Sequence, residues 1–229
     1  VGSNPAAPTT YLIVLNLIHG ILMTDLSLLD WRRKISNIYS DVRSKTNLEN
    51  AWQEWLRKRK NLFYFHRESP ISHLNKNNEI INFYPYNQKF LFFVNLKKII
   101  NSNTIELHIG KDGKARIFPY YRTVGLKKSL FTELIIYKFE GYAGGLFLPF
   151  KDLGCLNNEN HYEGGRYLID TMKGADLGVN KDNKLMLDFN FSYNPSCAYN
   201  NSWVCPILNN KNFVKIFIDA GEKKPNLNN

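Results

Sequence analysis

The sequence predicts a mainly β, α+β fold, in which an antiparallel barrel-like or sandwich sheet is preceded by an N-terminal pair of helices. Three observations support this prediction. Apolar residues recur at intervals of three and four residues between 25 and 65, as they do on one face of a helix. From residue 84 onwards, short β-rich runs follow one another with turn signals and no helical pattern between them. The chain has 229 residues, which are enough for one domain with a sizeable core.

The first predicted helix has an apolar face that includes Leu28 and Trp31. The second helix is predicted to start at the run TNLE, residues 46–49, where the threonine hydroxyl and the glutamate carboxylate can cap free backbone amides. Pro70 closes the helical region, because a helix does not readily continue through proline. The basic residues at 57–59 are interpreted as a solvated helix end.

The predicted strands are short and rich in β-branched and aromatic residues. They lie at 90–94, 104–109, 115–119, 130–139, 146–150, 166–171, 184–193 and 213–220. The dipeptide Asp112-Gly113 favours a tight turn, so 104–121 is predicted to be a β-hairpin. We expect a single domain over 23–223, helical at 25–65 and β-rich at 84–222, with a disordered tail at 224–229.

Residues 1–22 are interpreted as mis-called upstream translation and not as part of the fold. The apolar run over 11–22 has no basic residue before it, as a secretory signal requires, and it is too short to span a bilayer. Residues 2–5, GSNP, also correspond to the reading frame GGT-TCG-AAT-CC, which is typical of a transfer-RNA T-arm. We therefore expect translation to start at Met23 and the protein to be cytoplasmic.

The chain is basic, with a formal net charge of +10, and basic proteins are attracted to nucleic acids and to anionic membranes. The excess lysines are scattered and accompany many asparagines and isoleucines, a composition typical of AT-biased coding. No nucleic-acid-binding module, P-loop or dinucleotide fingerprint is present in the sequence. We predict neither a nucleic-acid partner nor a membrane partner, and the sequence assigns no cofactor and no oligomeric state.

Two C-terminal motifs are unusually dense in charged, amide, aromatic and thiol side chains. They are YEGGRYLID, at 162–170, and LDFNFSYNPSCAYNNSWVCP, at 187–206. We interpret them as the candidate functional site of the protein. The catalytic candidates are Asp170, Asp188 and Cys197. The ligand-binding candidates are Arg166, Tyr167, Asn190, Tyr193, Asn194 and Tyr199. Whether the protein is an enzyme is left open.

The alternation of side chains along a strand indicates which residues of this site lie together, because residues two apart on a strand share a face. Arg166 and Asp170 share one face of their strand, and Asp188 and Asn190 share one face of the next. If the two strands pair, all four side chains meet on one surface. There Arg166 can hold an anionic group while the aspartates orient it or transfer a proton. The alternative is a solvated sheet face, or an Arg–Asp pair that braces a barrel.

The three cysteines are Cys155, Cys197 and Cys205. An odd number in a chain without an export signal argues against a disulfide framework. Adding His161 completes a set of four zinc ligands, but the spacing matches no familiar zinc motif, so no metal site is predicted. Inert buried thiols are the default interpretation. A nucleophilic Cys197 and a reversible pair between Cys197 and Cys205 are the alternatives.

The chain resembles a bacterial family, domain of unknown function 1684, over nearly everything from Met23 to Lys223. The runs that carry the resemblance are LLDWRRKISNIYSDVR at 28–43, Ser69-Pro70, GGRYLIDTMKGADLG at 164–178, LDFNFSYNPSCAYNNSWVCP at 187–206, and Asn212 through Ala220-Gly221-Glu222. The resemblance implies no settled activity, substrate or cofactor.

What the resemblance adds is a set of motif positions. These are Arg166, Tyr167, Asp170, Gly174, Asp188, Asn190, Tyr193, Asn194, Pro195, Cys197, Tyr199, Cys205 and Pro206. The chain departs from the family at Gly154-Cys155 and His161-Tyr162, where members commonly carry small hydroxyl residues and a Thr-Tyr pair. Cys155 and His161 are therefore interpreted as local variation, which weakens both a zinc site and a Cys197–His161 dyad.

Two functional hypotheses follow from the sequence. In the first, the protein binds a small polar or anionic ligand at the cluster on the C-terminal strands, as a binding protein or as an enzyme. In the second, it is a non-catalytic interaction or structural protein, and the motif residues brace the fold. The first predicts that these side chains converge in a pocket, and the second predicts an exposed apolar patch.

Overall fold

The computed structural model describes residues 9–74, 79–109, 113–141, 144–156, 160–207 and 212–227. Two long helices come first, and a one-turn helix follows later: α1 (Thr9–Arg43), α2 (Leu48–Phe65) and α3 (Lys127–Leu130). The seven strands are β1 (Leu91–Lys98), β2 (Ile105–His108), β3 (Lys114–Val124), β4 (Ile135–Phe139), β5 (Leu146–Phe150), β6 (Arg166–Asp170) and β7 (Leu185–Asp188). The predicted order of two helices and then a β-rich part is confirmed.

Helix α2 is capped by Asn47, one residue after the threonine that the capping signal indicated. The side-chain oxygen of Asn47 accepts a hydrogen bond from the amide of Asn50 at 2.9 Å, which satisfies one of the free amides of the first turn. Glu49 lies in the same turn, where negative charge is favoured. Helix α1 begins at Thr9, and the expected start of translation at Met23 stays a prediction.

The two helices pack on the barrel through the aromatic face of α2. Trp55 is almost fully buried, and its ring lies 5.3 Å from that of Phe191 and 6.2 Å from that of Tyr39 on α1. The indole nitrogen of Trp52 donates to the carbonyl of Asn190 at 3.0 Å. One apolar face on each helix, spaced as the sequence predicts, therefore joins the helices to each other and to the sheet.

The sheet is antiparallel and nearly closed. Its strand order is β6-β5-β4-β3-β1-β7, with β2 paired beside β3. The chain beyond β7 returns to the other edge, because the amide of Tyr167 on β6 donates to the carbonyl of Tyr193 at 2.9 Å and the reverse bond is 3.1 Å. A barrel-like sheet, the first of the two architectures expected from the sequence, is thus confirmed.

Several predicted strands differ from the structure in extent. The β2–β3 hairpin is confirmed, although residues 110–112 of its turn lie outside the described residues. The strand predicted at 184–193 ends at Asp188 and continues as a 3₁₀ turn, Phe189–Phe191. No strand forms at 213–220, so that prediction is wrong. This segment makes only an isolated bridge, between Phe213 and Lys151, because the buried Arg166 side chain takes the carbonyls of Ile218 and Ala220.

Two apolar clusters fill the molecule. One joins the helices to the sheet and includes Trp55, Phe63 and Phe191. The other joins strand residues to the C-terminal segment around Phe189, which is fully buried and packs its ring against that of Phe150 at 4.9 Å. Burying a side chain of this size stabilises a fold by about 2–3 kcal/mol, so both clusters hold the barrel closed.

The C-terminal tail remains bonded to the body of the protein past Lys223. The amides of Lys224 and Asn226 donate to the carbonyls of Asn160 and Ile80, within the stretch where the sequence predicts disorder. In the part of the chain that the structure describes, no helix combines the length and apolarity needed to cross a membrane.

Gly221 provides a test of the packing of the C-terminal segment. Its φ is +77°, and a Cβ there would lie 2.0 Å from the Ser192 hydroxyl and 2.6 Å from the Phe189 carbonyl. We expect Gly221→Ala to lower the free energy of unfolding by about 3 kcal/mol, through strain of about 1–2 kcal/mol and overpacking of a similar size. Urea unfolding followed by tryptophan fluorescence measures the change.

Gly113→Ala is the matched control. Its φ is +90°, but a Cβ at this position meets nothing within 4 Å, so only the backbone strain applies. Equal losses of stability in the two variants would show that Gly221 is needed for its conformation alone and not for close packing.

Candidate functional site

Arg166 is fully buried at the start of β6, and its guanidinium is used within the fold. One terminal nitrogen donates to Asp152 Oδ2 at 2.6 Å and to the carbonyl of Ile218 at 3.2 Å. The other donates to the carbonyls of Ala220 and Glu222. The guanidinium therefore fixes the irregular C-terminal segment against the barrel and presents no free terminal nitrogen to a ligand.

Asp152 and His161 complete this first network. His161 Nδ1 lies 2.6 Å from Asp152 Oδ1, and its Nε2 lies 3.1 Å from the Tyr84 hydroxyl. Burial raises the pKa of Asp152, but the hydrogen bond from His161 and the charge of Arg166 outweigh it, so the pKa is lowered. Burial lowers the pKa of His161. A neutral imidazole thus donates from Nδ1 to an ionised carboxylate.

The Asp152–His161 pair also explains why residue 154 is a glycine. A Cβ on residue 154 would lie 2.1 Å from His161 Nδ1, so the histidine ring occupies space that only Gly154 leaves. Cys155 lies close by, and candidate ligand atoms of Asp152, Cys155 and His161 lie within 4.8 Å of one another. The guanidinium of Arg166 already neutralises the carboxylate of Asp152. Asp152, Cys155 and His161 therefore fit a structural ion pair better than a cation site.

A second network forms around Glu222. Its Oε2 accepts from Arg59 at 2.9 Å and from the amide of Asn194 at 2.9 Å, and its Oε1 accepts from the Tyr199 hydroxyl. Burial raises the pKa of Glu222, and the charge of Arg59 opposes this shift. The Arg59 guanidinium lies 4.2 Å from the ring centre of Phe63, where it gains a cation–π interaction.

A third network surrounds Asp188 at the end of β7. Its carboxylate accepts from the Asn190 amide at 3.0 Å, from the Asn190 side chain at 2.7 Å and from the Tyr86 hydroxyl at 3.1 Å. Burial raises the pKa of Asp188 to about 6. The side chain of Asn190 also bonds the amide and carbonyl of Asn87, so this network fastens the chain that leads into β1.

The convergence of Arg166, Asp170, Asp188 and Asn190 on one surface is therefore not observed. Strand β6 pairs with β5, whereas β7 pairs with β1. Asp170 forms an ion pair with Lys173 at 3.2 Å, apart from the other networks. The alternative of a solvated sheet face is also wrong, since all four residues are buried. Strand β7 ends at Asp188, and the chain beyond it, at Tyr193, is the part that lies beside β6.

A cavity lies where the helices face the chain after β7. Its volume is about 290 Å³. It is lined by Leu28, Trp31, Arg32, Ile35, Tyr39, Arg59, Phe63, Lys173, Ala175, Tyr193, Asn194, Ser196, Ser202, Trp203, Val204, Cys205 and Pro206. Of the predicted ligand-binding residues, Tyr193 and Asn194 belong to this wall. Tyr167 and Tyr199 support it from behind, through bonds to Pro206 and Glu222.

The wall of this cavity combines cations, aromatic rings and buried polar atoms. Arg32, Arg59 and Lys173 contribute positive charge, and none of the described lining residues is acidic. Among the described residues, four of the wall carry a buried polar atom without a hydrogen-bond partner: Tyr39 Oη, Arg59 Nε, Tyr193 Oη and Asn194 Oδ1. Buried polar atoms are nearly always paired in folded proteins, so this concentration marks the cavity as a candidate binding site.

A larger, more open depression of about 450 Å³ lies between α1 and α2 on their outer side. Its charged residues include both signs, and Lys58 is already paired with Asp41 at 2.6 Å. None of the residues predicted from the sequence lines it. Unlike the smaller cavity, this depression thus has an acidic residue, Asp41, among its described lining residues.

Sequence reasoning missed the residues on the helices that complete the site. Arg59 was interpreted as part of a solvated helix end, although it lies four residues from both Trp55 and Phe63 and so falls on the apolar face. That spacing is the signal that identifies it. Cys197, the third catalytic candidate, does not line the cavity, but its backbone amide donates to the sulfur of Cys205, which does.

The first network predicts a large stability effect at Arg166. We expect Arg166→Ala to lower the free energy of unfolding by about 3–5 kcal/mol, because Asp152 is left buried without its charge partner. The exposed pair Arg116–Glu140 provides the control, and Arg116→Ala is expected to cost less than about 1 kcal/mol. Chemical denaturation of both variants measures the difference. A loss at Arg166 no larger than that at Arg116 would contradict the bracing role.

The third network predicts a pH effect. The folded pKa of Asp188, about 6, lies above the usual 3.8, so its stabilising contribution is complete below pH 4 and is lost as the pH rises through 6. Asp188→Asn removes this dependence. Relative to the native chain, the variant is expected to gain about 3 kcal/mol in free energy of unfolding between pH 3.5 and 7.

Denaturation of both proteins at a series of pH values measures this gain. A difference between the two proteins that stays constant across the series would contradict the assignment.

The model of one protein family, described as "Protein of unknown function (DUF1684)", matches residues 76–223. No match is found among curated proteins. The chain is similar to the solution NMR structure of the uncharacterized protein from gene locus rrnAC0354 of Haloarcula marismortui, with 21% identity, 76% of this chain and 95% of that chain covered, and a TM-score of 0.47. At that level the likeness bears on neither the detailed fold nor the function. The family match covers more than half of the chain and all seven strands, and the protein belongs to the DUF1684 family.

Proposed function

We propose that the protein binds a small organic anion in the cavity between the helix pair and the chain after β7. The observation that carries this proposal is a cavity of 290 Å³ whose described lining residues include three cations and no acidic residue. Several polar atoms of the wall are buried without a hydrogen-bond partner, and an unpaired buried polar group costs about 1–3 kcal/mol. A small shift of these side chains on binding would let a polar ligand satisfy them.

The charge of the wall favours an anion. The described lining residues include the cations Arg32, Arg59 and Lys173 and no acidic residue. Arg59 already neutralises Glu222, and Lys173 is paired with Asp170. Arg32, which is exposed at the edge of the cavity, is therefore the cation best placed to bind a carboxylate or phosphate from solution.

The apolar part of the wall favours a ligand with an aromatic or aliphatic body. Trp31 and Phe63 come from the helices, and Trp203 comes from the C-terminal side. Pockets for small molecules typically combine an apolar lining with a few fixed polar groups. Arg166, which the sequence suggested as the anion holder, is replaced in this role by the cations of the cavity.

A charge-matched pair of ligands tests this proposal. Naphthalene-2-carboxylate carries an aromatic body and one negative charge, and 2-naphthylmethanol is its neutral counterpart. We expect the carboxylate to bind about tenfold more tightly, as for a charge-assisted hydrogen bond. Arg32→Ala should remove most of this preference, while Arg33→Ala, a neighbouring exposed arginine outside the wall, should keep it. Isothermal titration calorimetry measures both affinities.

A second pair of variants tests the location. Ser196 lines the cavity, so Ser196→Phe should fill it and abolish binding of the carboxylate. Ser129→Phe, on the exposed side of α3, should leave binding unchanged. Absence of binding to the native chain at millimolar ligand, or equal binding in both serine variants, would refute the proposal.

A further inference from the structure

We propose that Cys205 and Cys197 form a peroxide-reactive dithiol at the rim of the cavity, in which Cys205 is oxidised first and Cys197 resolves it into a disulfide. The two residues are eight apart in sequence, and the backbone amide of Cys197 lies 3.3 Å from the sulfur of Cys205. Both side chains are partly accessible and both are free thiols. Cys205 also belongs to the cavity wall, so a small solute can reach it.

The surroundings distinguish the two sulfurs. A hydrogen bond from the Cys197 thiol lowers the pKa of Cys205 to about 7, and backbone amides and the charge of Lys173 act in the same direction against burial. The same hydrogen bond raises the pKa of Cys197, and burial adds to it. Near neutral pH, Cys205 is therefore partly thiolate, the reactive form, and Cys197 remains a thiol.

The charged and titratable neighbours agree with this division of roles. The hydroxyl of Tyr162 donates to the Cys197 sulfur at 3.6 Å, and burial raises the pKa of that tyrosine, so it stays neutral. Lys173 is the cation whose charge acts on Cys205. Cys155 is buried, and burial raises its pKa to about 11. The third cysteine is thus an internal reference of low reactivity.

The reaction balances with a hydroperoxide as the oxidant. The Cys205 thiolate attacks one peroxide oxygen, the O–O bond breaks, and the leaving alkoxide or hydroxide takes a proton, giving a sulfenic acid and an alcohol or water. The Cys197 thiol then attacks the sulfenic sulfur, the S–O bond breaks, and water leaves as the disulfide forms. Two thiols of a cellular reductant restore the dithiol and become a disulfide themselves.

The disulfide would close the loop that borders the cavity. Ser202, Trp203 and Val204 lie between the two cysteines and line the cavity, and they are exposed at its rim. A covalent link across the ends of this loop restricts its conformations. The inference goes beyond ligand binding, because the thiol chemistry needs no ligand in the cavity.

Peptide mapping of the full chain tests the inference without any ligand. The protein is treated with one equivalent of hydrogen peroxide, unfolded in urea, blocked with N-ethylmaleimide and digested. Trypsin leaves both cysteines in one peptide, 185–211, which should lose two hydrogens and carry no alkyl group. Chymotrypsin, which cleaves after Tyr199 or Trp203, should then give two pieces joined by a reducible bond. The peptide with Cys155 should be alkylated.

Single variants assign the order of reaction. In Cys197→Ser, dimedone should trap a sulfenic acid on Cys205, and in Cys205→Ser, Cys197 should remain unlabelled at the same dose. Cys155→Ser should form the cross-link as the native chain does. These results do not depend on whether naphthalene-2-carboxylate binds in the cavity. The proposals of ligand binding and of a reactive dithiol can therefore be refuted independently. Two alkylated thiols in peptide 185–211 after peroxide, or equal dimedone labelling in the first two variants, would overturn the inference.

Discussion

The position of Glu222 is the constraint on which the rest of the structure depends. Its carboxylate is fully buried and accepts from Arg59, from the amide of Asn194 and from Tyr199, while its carbonyl accepts from Arg166. Helix α2, the start of β6 and the chain after β7 therefore meet at one residue. A buried carboxylate is tolerated only when such partners are in place, so these three parts of the chain have to be positioned together.

The same constraint creates the cavity. Arg59 has to extend from α2 to reach Glu222, and its guanidinium lies between the rings of Phe63 and Tyr193. Its Nε is left unpaired in doing so. The wall next to this ion pair is thus both aromatic and polar, a combination that a packed apolar core does not offer. The cavity proposed as the binding site is therefore a consequence of how the helix pair is attached to the barrel.

Much of the fold was predictable because it depends on local patterns. The helices follow from the spacing of residues such as Trp31 and Trp55, and the β2–β3 hairpin follows from its Asp-Gly turn. The segment 213–220 was not predictable, since its composition is that of a strand while its carbonyls bond the Arg166 side chain. In the candidate site, the motif residues Tyr193 and Asn194 were found from sequence, but Arg59 was interpreted as part of a solvated helix end, whereas it is buried.

The sequence by itself determined the class of fold, the extent of the helices to within a residue or two at α2, and the segment that carries the densest polar motifs. These depend on periodicity and composition, which act over a few residues. Only the tertiary structure decided which motif residues meet. Arg166 and Asp188 had the chemistry of a ligand site, yet the strand order β6-β5-β4-β3-β1-β7 buries them in separate networks. Pairing partners far apart in the chain are set by closure of the sheet, and no local pattern encodes that choice.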